Sequence, residues 1–154
     1  MTSRPVNAQT SRTGRTPVQL AALVFGIVFI LVGVLGFIPG ITTNYDALLI
    51  AGNDSAALLL GVFQVSILHN IVHLLFGIVG FVMARTVPGA TTFLIGGGVV
   101  YLALWIYGLL IEQDSAANFV PLNAADNWLH LVLGVGMVGL GVVLRRAPAA
   151  RRTA

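Results

Sequence analysis

The stretch QVSILHNIVHLLFGIVGFVMAR, residues 64–85, decides how the rest of the chain is read. At a rise of about 1.5 Å per residue it is long enough to cross a hydrocarbon core of about 30 Å. It nevertheless carries His69, Asn70 and His73 near its start. Polar groups inside an apolar span are costly, so they point to a contact between helices or to a site. Lipid also requires every backbone polar group to be bonded internally, and the run shows no strand alternation, so it is predicted to be a helix.

Working outward from this stretch, three more apolar runs of comparable length appear. The four spans fall at about 18–38, 65–84, 93–111 and 128–144. Of the 154 residues, 57% are hydrophobic and 8% charged, against about 25% charged in a soluble domain. Mean hydropathy is +0.95. The predicted fold is therefore all-α: a polytopic membrane four-helix bundle over residues 17–145. Basic tails at 1–16 and 146–154 have too little apolar content to pack and are expected to be disordered. The 18 glycines, unfavourable inside soluble helices, suit close helix approach in a membrane.

The chain has no Cys, which removes disulfides, thiolate metal sites and thiol nucleophiles. It has no Lys, and all eight basic residues are Arg, so no tunable amine base is present. Ser66 and Ser115 have no evident base and orienter, and no enzyme activity is expected.

Every Arg lies in a terminal tail or at Arg85, whereas Asp46, Asp54, Glu112, Asp114 and Asp126 all lie in or beside the other two connections. By the positive-inside rule both termini are expected in the cytoplasm, with the protein in the plasma membrane. The basic tails suit anionic inner-leaflet lipid, which accounts for a pI near 10.2 without nucleic acid. The first apolar run is too long for a signal-peptide core and has no A-x-A-like site after it, so it is read as a retained span.

The connections carry further expectations. Asn53-Asp54-Ser55 has the chemistry of a helix cap before ALLLGVF, so residues 42–63 are read either as extending the second span or as holding an interfacial helix. RTVPGA, residues 85–90, is a tight turn punctuated by Pro88-Gly89. Tyr101, Trp105, Tyr107 and Trp128 suit membrane-interface positions. Gly96-Gly97-Gly98 lacks the strand context of a nucleotide loop and reads as helix packing.

Aligning NIVHLLFG, residues 70–77, with NWLHLVLG, residues 127–134, matches Asn70 with Asn127, His73 with His130 and Gly77 with Gly134. This is a weak parallel two-helix repeat. Residues three or four apart share a helix face, so two polar and small stripes are expected to face each other across the bundle. Four roles are open for them. Asn70 and Asn127, with the histidines, would hydrogen-bond between helices and fix packing, with no cofactor. His69, His73, His130 and Asp126 would hold a divalent metal. His73 and His130 would bind haem as a cofactor. His and Asp would relay protons or an ion, which in so small a bundle requires a homo-oligomer. The expected partners are the lipid bilayer and a second copy or a membrane complex, and not nucleic acid.

FQVSILHNIVHLLFG, residues 63–77, and EQDSAANFVPLNAADNWLHLVLGVGM, residues 112–137, resemble a family of small four-span bacterial membrane proteins classed as a domain of unknown function and common in actinobacteria. The resemblance covers about Thr16 to Arg146. It implies four spans and one domain, and it brings no substrate, cofactor or catalytic residue. His69, Asn70, His73, Asp126, Asn127 and His130 stand at its motif positions.

Overall fold

The computed structural model describes residues 14–145, so the expected disorder of residues 1–13 and 146–154 lies outside the described residues. Four helices dominate: α1 (Pro17–Leu35), α2 (Ile67–Met83), α3 (Val87–Leu110) and α4 (Ala124–Leu144). α1, α3 and α4 are each long and apolar enough to cross a membrane, while α2, at 17 residues, is a shorter apolar helix. Between α1 and α2 lie three two-residue strands, β1 (Thr42–Thr43), β2 (Leu58–Leu59) and β3 (Phe63–Gln64), and a 3-10 turn at Tyr45–Ala47.

Each helix starts where its first N–H groups find an acceptor. The Gln19 side-chain oxygen accepts from the Thr16 N–H at 3.1 Å, and Pro17 opens α1 where no amide donor is needed. Ser66 Oγ accepts from the His69 N–H at 3.1 Å, and Thr86 Oγ1 accepts from the Gly89 N–H at 3.1 Å. At α4, Asn123 Oδ1 accepts from Asp126 N–H while Asp126 Oδ2 accepts from Asn123 N–H, a reciprocal capping box.

The helices associate as two antiparallel hairpins, α1 with α2 and α3 with α4, and α1 adjoins α3 across the middle. At the end where the short α2–α3 turn lies, the Gln19 amide donates to the carbonyls of Ala84 and Arg85 at 3.2 and 2.9 Å, supplying partners for the frayed end of α2. At the opposite end the two long connections fold over the bundle. The core between the hairpins is aromatic. Phe29 stacks on Tyr101 with ring centres 5.3 Å apart, and Phe76 meets Phe29 edge-on at 5.0 Å.

Three expectations about the connections and aromatics are corrected. Residues 42–63 hold neither an interfacial helix nor an extension of α2, because Ser55 is drawn inward instead of capping. Its buried hydroxyl accepts from the Leu49 N–H at 3.2 Å and donates to the Val65 carbonyl at 2.7 Å. The segment forms an antiparallel meander in the order β1-β2-β3, with Thr42 opposite Leu59 and Leu59 opposite Phe63. Ala57, Leu59 and Val65 form its small core against Val32 and Leu35. Pro88 and Gly89 lie inside the first turn of α3, so the connection is shorter than 85–90. Tyr101 is 5% exposed and belongs to the core, whereas Trp128 is exposed.

Candidate functional site

The polar residues of α2 and α4 gather at the end of the bundle covered by the long connections. Their distribution differs from the expected facing stripes. Asn70 is fully buried with its side chain seated against Gly36, just past the end of α1. Gly77, two turns further, packs on Gly26 and Ile30 of α1, where an added Cβ would come within 2.7 Å of the Gly26 carbonyl and the Ile30 backbone nitrogen. Asn127 makes the same kind of contact with Gly108 of α3, and Gly134 packs on Gly98 and Leu102 of α3. The Asn and Gly stripes thus face the other helix of their own hairpin, and the expectation that they face each other is corrected. At about 100° per residue, Asn and Gly seven apart lie almost in line, while the His three residues after each Asn points about 60° away.

That offset sends the histidines to the seam between the hairpins. His73 stacks on Phe29 at 5.9 Å and on His69 at 4.6 Å. His130 meets Tyr101 edge-on at 5.3 Å. So α1 presents Phe29 to the imidazole of α2, and α3 presents Tyr101 to the imidazole of α4. His69 and His130 are buried and His73 is half-buried. All three line two cavities, of about 200 Å³ and 140 Å³.

The expected mutual hydrogen bonding of Asn and His is absent from the described residues. Both side-chain polar atoms of Asn70, Oδ1 of Asn127, and Nδ1 of His73 and of His130 are sealed without a partner. A buried polar atom left in this state typically costs about 1–3 kcal/mol, so these five atoms call for an explanation. His69 differs because its Nδ1 lies 3.0 Å from the Pro121 carbonyl. A carbonyl only accepts, so Nδ1 carries the proton and the neutral ring keeps its lone pair on Nε2.

Asp126 is also committed. Its Oδ2 accepts from the Gln64 N–H at 2.9 Å and from Asn123 N–H at 2.9 Å, and the Asn123 side-chain amide donates to the Val62 carbonyl at 2.8 Å. These bonds fasten the β3 strand to the start of α4. Among the described residues no three His, Asp or Glu side chains come together as a set able to hold a metal ion. The grouping of His69, His73, His130 and Asp126 is therefore not gathered into a metal centre. The three imidazoles are together, but the carboxylate serves as a cap and a fastening. Of the two serines read as poor nucleophiles, Ser66 caps α2 by accepting from His69 N–H, and Ser115 Oγ donates to the Glu112 carbonyl at 2.7 Å within the α3–α4 connection.

The sequence reading missed two contributors. Phe29 and the Gly26/Gly36 pair lie in a stretch, residues 20–38, with no polar residue to draw notice. A signal was present in spacing: Gly26, Phe29, Ile30 and Gly36 of α1 stand at the same intervals as Gly98, Tyr101, Leu102 and Gly108 of α3.

Fold and site together define a small, mostly helical protein with helices built to cross a membrane and a histidine-lined seam under a loop cover. The chain belongs to the family described as Domain of unknown function (DUF4383), whose model matches residues 19–143. Comparison with curated proteins and with solved structures returned no match.

Proposed function

We propose that the protein is a non-enzymatic accessory protein of the plasma membrane with four spans and both termini in the cytoplasm, built as two equivalent hairpins around a ligand-binding seam. The division of labour between Asn and His carries this reading. Asn70 and Asn127 fill notches at Gly36 and Gly108 and fix the packing within each hairpin. Nδ1 of His73 and of His130 has no hydrogen-bond partner among the described residues, and both rings line cavities where the hairpins meet.

Two further points support the arrangement. α2 is about 26 Å long at 1.5 Å per residue, short of a full core by only a few residues, and Val65 and Ala84 beside its ends are apolar. The parallel contacts Gly26–Gly77 with Gly98–Gly134, and Gly36–Asn70 with Gly108–Asn127, support a duplicated hairpin with its axis along the membrane normal. The segregation of all Arg from all acidic residues supports cytoplasmic termini.

Green fluorescent protein fused after Ala154 is expected to fluoresce, and alkaline phosphatase fused there to be inactive. Active phosphatase at that position overturns the orientation.

A further inference from the structure

We propose that the seam binds an uncharged quinone or quinol of the membrane, its ring held between the hairpins with ring oxygens meeting the imidazoles of His73 and His130. This rests on reading the seam as a ligand site and names the ligand's chemistry. The three histidines of the chain all line both cavities, so the imidazoles stand between them like a partition. The larger cavity is walled by α1 side chains such as Val28, Phe29 and Val32 and by Leu129 and Leu133 of α4. The smaller has Tyr101, Leu104 and Leu122 on its walls. Asp126 borders the larger cavity, with its Oδ2 taken up by the backbone amides of Gln64 and Asn123.

Four features select the occupant. Among the described residues no Arg lines either cavity, so nothing described there would neutralise an anion. Apolar walls in a bilayer favour a neutral molecule that already partitions into lipid. An apolar cavity of about 150 Å³ takes benzene, so one of about 200 Å³ suits a single substituted ring, and a porphyrin exceeds either space. Finally, Nδ1 of His73 and Nδ1 of His130 sit on different helices without a partner among the described residues, so a ligand bearing oxygens on opposite edges would match two separate imidazoles. A quinone has that pattern. A metal ion would need three or four donors converging on one point, which the described residues do not offer.

The test uses the full-length protein in nanodiscs of phosphatidylethanolamine and phosphatidylglycerol, with ring-labelled histidine, which reports only the three site residues. Titration with a 1,4-benzoquinone carrying one short isoprenoid unit is expected to shift the His73 and His130 ring signals saturably. Single His73→Leu and His130→Leu variants are expected to bind it at least tenfold more weakly. The His130→Gln variant, which keeps a polar group at the seam, serves if either leucine variant fails to fold. Absence of any saturable change in the wild-type spectrum overturns the proposal. Equal binding of an isoprenoid alcohol lacking the ring makes the seam a lipid-chain site and also overturns it, as does a response to zinc or haem alone. Ligand-free unfolding of the same variants separates this failure from that of the underlying reading. If both leucine variants unfold without any ligand present, the histidines are packing residues and the seam reading itself falls.

Discussion

The two hairpins, α1 with α2 and α3 with α4, are alike inside and unlike outside. Within each, an asparagine seats against a glycine near the covered end, and a glycine pair brings the two backbones together further along. Between them the correspondence lapses: Phe29 answers Tyr101, Gly80 accommodates the ring of Phe93 from α3, and the cover over α1 and α2 is a β-meander with no counterpart over α3 and α4. The difference teaches which contacts specify the element and which specify the assembly. Close glycine contacts recur because apolar helices of the kind that cross membranes gain association chiefly from packing. Contacts between hairpins are free to diverge, and the seam that results is where a site can form.

The largest expected effect comes from the glycine pairs. A Cβ on Gly26 would lie 2.8 Å from the Phe81 backbone nitrogen, and one on Gly98 2.9 Å from the Gly134 carbonyl. Backbone cannot swing aside, so Gly26→Ala and Gly98→Ala are each expected to lose about 2 kcal/mol in detergent unfolding titrations. Gly96→Ala and Gly136→Ala, with open space at the added carbon, are expected to stay within about 0.5 kcal/mol of the parent. If one pair tolerates Ala and the other does not, the hairpins are not equivalent.

Next are the notches. Gly36→Ala drives a methyl into the Asn70 amide, and Asn70→Ala removes that amide, so the double variant is expected to be less harmed than the two single effects summed. A coupling of about 1 kcal/mol is expected, with a matching value for Gly108→Ala with Asn127→Ala. Independent, additive effects would remove the notch from the account.

Asp126→Asn weakens two bonds that a carboxylate makes to backbone N–H groups and that no residue of the other hairpin reproduces. It is expected to cost about 1 kcal/mol and to speed amide exchange at Gln64 and Asn123 above all. Unchanged exchange there would mean the meander is held by its apolar core alone. The smallest effect is expected for His73→Leu combined with His130→Leu. Removing two sealed, unpartnered ring nitrogens offsets lost stacking, so the ligand-free protein is expected to stay within about 0.5 kcal/mol of the parent.

The helices were legible because an apolar run in a chain with 8% charge leaves little choice, but the caps at Ser66 and Asn123 that start α2 and α4 went unread. The Asn and His positions were legible as a repeated pattern, but their partners were not. Direction around a helix can be counted, yet which neighbour occupies that direction depends on tertiary packing, and α1 announces itself only through glycines that look like background. The meander was hidden for another reason. Strands of two residues are too short to show alternation, and Asn53-Asp54-Ser55 looks like a helix cap until Val65 and Leu49 are seen to claim the serine.

The Asp126 carboxylate joins residues far apart in the chain: β3, before α2 begins, and the first turn of α4. During synthesis, α1, the meander and α2 emerge long before their anchor exists. The cover over the seam is therefore closed last, once the second hairpin is in place, and a chain that stalls before α4 presents the meander and the histidines of α2 unfastened.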